Sequence, residues 1–151
     1  MNKYSADELF KIAYDHLQKR DYGKSAGLFE KILKDYPRNL SVLKNLSHCY
    51  VYIKEFEKAE NCIKKIINIK PDEPFAYQFL ASILKDQDKI EDAILIVNQG
   101  LEKGLINQKW EVQKNLFFPK IPSDKNEIVK YRKKIEEEIE KILDVNFKKK
   151  L

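Results

Sequence analysis

The sequence matches itself when displaced by 34 residues, and no other feature restricts its fold as strongly. Leu9, Leu43 and Tyr77 fall in register, as do Ile12, Leu46 and Leu80, then Ala13, Ser47 and Ala81, then His16, Tyr50 and Leu84. Tyr22, Phe56 and Ile90 follow, with Ser25, Ala59 and Ala93, then Phe29, Ile63 and Val97, then Ile32, Ile66 and Gly100. Pro37 and Pro71 close the first two copies; Leu105 stands in their place in the third.

Within each copy the apolar residues recur at spacings of three and four, in two blocks separated by a short polar turn. Each copy therefore predicts a helical hairpin. The first helices are expected over about Ser5 to Lys19, Asn39 to Ile53 and Glu73 to Asp86, and the second over about Tyr22 to Asp35, Phe56 to Ile69 and Lys89 to Lys103. Ser5 with Glu8, and Asp88 with Glu91, have capping-box spacing; Asn39 and Asp72 are candidate N-caps. The small residues at 13, 47 and 81 and at 25, 59 and 93 predict close helix approach, with Phe29, Ile63 and Val97 filling the space beside them. A hairpin cannot bury both of its faces alone, so neighbours must stack.

The stretches Tyr22 to Pro37, YGKSAGLFEKILKDYP, and Leu43 to Pro71 resemble the tetratricopeptide repeat family over about Ala6 to Leu105. The resemblance implies an all-α, right-handed superhelix (an α-α solenoid) of three hairpins, at about 6–39, 40–73 and 74–105, whose first helices line a concave groove for a peptide or a partner's helix. The groove positions left over from packing are Phe10, Lys11, Tyr14, Lys44, Asn45, His48, Tyr52, Phe75, Gln78, Phe79 and Ser82. Rigid aromatics and amides suit peptide contact, although the same aromatics also suit covering a core or a C-terminal segment. A subclass of the family clamps a C-terminal carboxylate with lysines, asparagines and an arginine; only Asn45 matches it. Asn45-Leu46-Ser47 also resembles one rung of the asparagine ladder of protein O-linked N-acetylglucosamine transferases, with Lys11 and Phe79 replacing the neighbouring rungs.

After Leu105 the repeat is lost. Residues 106–118 are expected to form a capping helix using Trp110 and Val112, 119–123 a connector marked by Pro119 and Pro122, 124–144 a last helix behind Ser123 as N-cap, and 145–151 a basic tail with Lys148, Lys149 and Lys150. The last helix carries Ile128, Tyr131, Ile135, Ile139 and Ile142 as a stripe that either packs on the repeats or forms a homodimer or partner coiled coil. Glu137 and Lys141 have the spacing of a helix-stabilising pair. Leu116 to Ile135, with Phe118, Pro119, Ile121, Glu127, Ile128, Tyr131 and Arg132, resembles the post-repeat junction of bacterial O-linked N-acetylglucosamine-transferase-like glycosyltransferases. That similarity implies a truncated relative or a substrate-recruiting module.

Charge and chemistry narrow the function. Of 29 basic residues only Arg20, Arg38 and Arg132 are arginines, a poor supply of the forked cation that reads bases and clamps phosphates, so the net charge of +5 points away from nucleic acid. Gly23, Gly27, Gly100 and Gly104 form no phosphate-cradling motif. His16 and His48 have no third ligand at metal spacing, Cys49 and Cys62 read as reduced packing residues, and Glu136, Glu137 and Glu138 read as a solvated face. No catalytic residue, cofactor or metal is expected. Met1 to Phe10 lacks an apolar run and no stretch approaches membrane-span length, which points to a cytoplasmic interaction module.

Overall fold

The computed structural model describes residues 4–107, 109–118, 122 and 124–148. Among the described residues there are eight helices: α1 (Ala6–Gln18), α2 (Tyr22–Asp35), α3 (Leu40–Tyr52), α4 (Phe56–Ile69), α5 (Pro74–Asp86), α6 (Ile90–Glu102), α7 (Lys109–Asn115) and α8 (Lys125–Lys148). There is no strand among the described residues. Each of α1 to α6 packs on the next, and α1 also meets α3. The result is an open right-handed α-α superhelix of three hairpins rather than a closed bundle.

Local chemistry sets the helix ends. Ser5 and Glu8 form the expected capping box: Glu8 N–H donates to Ser5 Oγ at 3.2 Å and Ser5 N–H to Glu8 Oε2 at 2.8 Å. Asn39 caps α3 by accepting from Val42 N at 3.1 Å. Two capping expectations are corrected. Glu73, not Asp72, is the N-cap of α5, because Pro74 takes the first helical position and fixes the residue before it outside the helix. Lys89, not Asp88, precedes α6, because Asp88 is used by the preceding turn.

That turn shows how deeply the repeat runs. Arg20, Lys54 and Asp88, each 34 residues from the next, all adopt left-handed backbone at φ 61, 63 and 65°. Each ends its first helix in the same Schellman arrangement. The following residue's N–H donates back to a carbonyl of the last turn: Asp21 to His16 at 2.9 Å, Glu55 to Tyr50 at 2.8 Å, Lys89 to Leu84 at 2.9 Å. Helices α2 and α4 instead stop before Pro37 and Pro71. At the end of α6, where Leu105 replaces the proline, Gly104 at φ 66° makes the left-handed turn, and Leu105 N–H donates to Gly100 O at 2.9 Å.

The core runs along the seam between first and second helices. Phe29, Leu43, Ile63, Ile66, Leu80 and Ile83 are fully enclosed, each side chain contributing about 1.5–3 kcal/mol on removal from water. Ala13, Ser25, Ser47, Ala59, Ala81 and Ala93 are buried at the close approaches. Ser25 Oγ donates to Ala13 O at 2.8 Å and accepts from Cys49 Sγ at 3.3 Å, joining α1, α2 and α3 through one hydroxyl. Burial pushes the Cys49 thiol up, and the Cys62 thiol up to about 11, so both stay protonated as packing groups. At Gly100 a Cβ would stand 3.0 Å from Ile106 Cδ1 and 3.3 Å from Tyr77 Cβ, so the smallest residue lets the cap close over the third hairpin.

The C-terminal third differs more from expectation. The capping helix is only seven residues, Lys109–Asn115, with Trp110 against the core and Phe117 buried just beyond it. Helix α8 runs to Lys148, past the expected end, and Asp124 caps it, accepting from Glu127 N at 2.9 Å. Among its described side chains the apolar stripe is largely open: Ile128, Ile135 and Ile139 are 53%, 36% and 49% exposed, while Tyr131 is half-buried against Phe118. The face turned to α7 is polar, with Glu138 only 5% exposed, so Glu138 is no part of a solvated face. Lys141 pairs with Glu138 at 2.6 Å rather than with Glu137. The roles expected of Pro119, Ile121, Ser123, Lys149 and Lys150, and of the side chains of Val112 and Ile142, lie outside the described residues.

Candidate functional site

The first helices α1, α3 and α5 carry the positions singled out in the sequence. Their centre is an aromatic cluster where α3 meets α5. The His48 ring lies 4.4 Å from Phe79 and 5.6 Å from Phe75 between centroids, and Phe75 stacks on Phe79 at 5.1 Å. All three side chains are half-buried. Burial among these rings lowers the His48 pKa, so the imidazole is neutral near pH 7 and presents a flat face with polar edges.

Lys44 frames the cluster. Its Nζ sits 5.1 Å from the Phe75 centroid and donates to Glu73 Oε1 at 3.0 Å, while Lys70 donates to Glu73 Oε2 at 3.0 Å. The two ammonium groups hold the Glu73 carboxyl below its ordinary range. Glu73 therefore makes no side-chain cap on α5; its carboxylate fixes the lysine that lies on Phe75 instead. Glu73 was not evident in the sequence because its partners lie 29 positions upstream and three upstream, outside the repeat register.

Toward the N-terminus, Phe10 stacks on Tyr14 at 6.3 Å and meets the enclosed Phe29 edge-on at 5.5 Å. Phe10 is thus partly a core residue, whereas Tyr14 is 45% exposed and Lys11 is fully at the surface. Asn45 is half-buried and its Nδ2 donates to Ser41 O at 2.9 Å, which occupies part of its hydrogen-bonding capacity within α3. Tyr52 stands apart: at the end of α3 it stacks on Tyr22 at 4.2 Å and leaves its other face to solvent.

On α5, Gln78 is half-buried and Ser82 Oγ donates to Gln78 O at 3.1 Å. Ser82 borders a depression of about 460 Å³ with Lys85, Trp110, Gln113, Leu116 and Phe117, which carries the same face onto α7. Trp110 read in the sequence as a cap contact; nothing in the repeat register marks it as bordering this depression. Among the described residues no group of three or more His, Cys, Asp or Glu side chains could hold a metal ion, and no helix is long and apolar enough to cross a membrane.

Comparison with known proteins agrees with this architecture. Residues 16–83 match the family described as Tetratricopeptide repeat. An aspartyl/asparaginyl beta-hydroxylase of Mus musculus is 24% identical over 75 residues, which is 50% of this chain but 10% of that protein. The chain thus spans about a tenth of the length of the curated relatives it matches. Among solved structures, MamA 41-end from Desulfovibrio magneticus RS-1 superposes with a TM-score of 0.72 at 16% identity, covering 97% of this chain and 78% of that one. The first TPR of Spaghetti (RPAP3) bound to HSP90 peptide SRMEEVD gives a TM-score of 0.59 at 17% identity, covering 87% of this chain and 90% of that one. The match to the repeat family thus runs from the end of α1 into α5, and the fold of all three hairpins is that of these solved structures.

Proposed function

We propose that this tetratricopeptide-repeat protein is a non-catalytic interaction module that holds a peptide or a partner's helix against α1, α3 and α5. The observation that carries the reading is the half-exposed His48, Phe75 and Phe79 cluster with Lys44 on its edge. A cluster of this kind offers large, rigid contact area at low entropy cost, with a few polar atoms to orient a guest. Tyr14 on one side and the Ser82 and Trp110 depression on the other extend it to the length of a short helix or strand. The peptide-bound RPAP3 domain supports binding by this fold.

The guest differs from an acidic C-terminal tail. With Phe10, Tyr14, Phe75 and Phe79 where a carboxylate clamp has lysines, asparagines and arginine, the face suits apolar anchors. The similarity to the beta-hydroxylase covers only a small part of that protein, which accords with a shared repeat rather than a shared reaction.

The test is a display selection of random peptides on the intact chain, followed by titration of the selected peptide. Replacing Tyr14, His48 and Phe79 with Ala is expected to weaken binding at least about tenfold with helicity retained, as loss of clustered aromatic anchors does. Unchanged affinity in the folded variant removes the assignment of this face. A synthetic SRMEEVD peptide is expected to bind far more weakly than the selected one.

A further inference from the structure

Helix α8 shows the isoleucines of its apolar stripe to solvent and turns one edge, Tyr131, Lys134 and Glu138, to the body of its own chain. Tyr131 rests on Phe118 at 4.8 Å, Lys134 lies 5.8 Å from the same ring, and Glu138 is buried. Beside that edge the helix offers Ile128, Ile135 and Ile139 to solvent, next to an open groove of about 430 Å³ walled by Phe118, Pro122, Tyr131, Arg132 and Glu136 as well as Ile128 and Ile135. Exposed isoleucines at helical spacing beside an apolar groove indicate an interface.

The order of residues identifies the occupant. In the sequence the apolar positions 128, 131, 135, 139 and 142 are symmetric about Ile135, reading the same in both directions. The charges are antisymmetric about the same point: Arg132, Lys133 and Lys134 precede it, and Glu136, Glu137 and Glu138 follow. Two α8 helices laid antiparallel with a twofold axis at Ile135 set each isoleucine of the stripe level with an apolar position of the second copy. They also set each basic run level with an acidic one. A parallel pairing sets like charge beside like. On the edge of the stripe, Arg132 and Glu136 pair within the helix at 3.1 Å and are both exposed, and the antiparallel register brings each to within about 3 Å along the axis of the second copy's oppositely charged residue. Ile139 of the second copy comes level with Tyr131, over the groove.

We propose that the chain associates with a second copy of itself through α8, antiparallel, with Ile135 on the twofold axis. A twofold interface of this kind is self-complementary and closes at two chains, so it doubles the peptide-binding face without polymerising. It is independent of the reading of that face.

Sedimentation of the full chain across micromolar concentrations gives the first readout: a dimer mass is expected, and a monomer mass throughout overturns the proposal. Ile135→Glu and Ile139→Glu are expected to give monomers with unchanged helicity, since both side chains are exposed in the single chain, and to leave titration of the selected peptide unchanged. Geometry gives the second readout. Ile135→Cys is expected to form a disulfide between copies on mild oxidation, whereas Ile128→Cys is not, because antiparallel pairing separates the two copies' residues 128 by roughly 21 Å at about 1.5 Å rise per residue. Equal cross-linking at both positions overturns the antiparallel register. Arg132→Glu and Glu136→Arg are each expected to raise the dissociation constant, and the double exchange to restore it; a double exchange no better than either single contradicts the charge pairing.

Discussion

The six repeat helices and α8 have the same kind of sequence, apolar at threes and fours, and opposite outcomes. In the repeats the stripe is buried: Phe29, Ile63 and Val97 are fully enclosed. In α8 the stripe faces out and a glutamate faces in. Amphipathic spacing states that a face needs cover; it does not state what provides it. In the repeats the cover is specified a second time, by the small residues at positions 25, 59 and 93 and by turns that recur every 34 residues, so each helix has one place to go. Helix α8 has no such second instruction. What joins it to α7 and Phe118 is a set of polar and aromatic contacts from Tyr131, Lys134 and Glu138.

The sharpest way to break that contrast is truncation at matched positions. Phe29→Ala is expected to lower unfolding stability by about 3–5 kcal/mol, and Ile135→Ala to change that of the isolated monomer by less than about 0.5 kcal/mol, both read from urea midpoints on dilute protein. Comparable losses would mean that α8 is part of the same cooperative core. Enlarging a small slot tests the second instruction: Ala59→Leu is expected to cost about 1–3 kcal/mol by overpacking, with a melting curve as the readout, and a neutral result would show that close helix approach is not what selects small residues there.

A smaller effect concerns the cluster on the first helices. Because burial lowers the His48 pKa in the folded chain, the unfolded chain binds the proton more readily. The stability His48 contributes is whole above its unfolded pKa, about 6.5, and is lost as pH falls from there toward the lower folded value. Thermal unfolding at pH 7.5 and pH 5.5 should show a fall that His48→Phe removes; the lowered carboxyls of Glu73 and Glu60 titrate below that window. Smaller again is the turn. Lys54 holds left-handed backbone without being glycine, so Lys54→Gly is expected to raise stability by about 0.5 kcal/mol, the relief of strain outweighing the added chain entropy. A loss instead would point to contacts of the Lys54 side chain that outweigh the strain.

The hairpins, their order and most of their ends were legible because repeat register and capping chemistry are local or recur at fixed distance. The aromatic cluster was legible in outline: positions left over from packing on α3 and α5 include His48, Phe75 and Phe79, which the fold brings together. Three things were not. Glu73 looked like a residue beside a cap, since its lysines lie at no repeat spacing. Asp88 looked like the start of a capping box, but the left-handed turn claimed it first. The orientation of α8 depends on which face meets α7, and nothing in its own pattern distinguishes a covered stripe from an open one.

Hydrogen exchange of the intact chain with and without the selected peptide addresses the central claim most directly. Slowed exchange in α3 and α5 around His48, Phe75 and Phe79, with α2, α4 and α6 unchanged, is the predicted result. Slowing confined to the second helices or to α8 would contradict it.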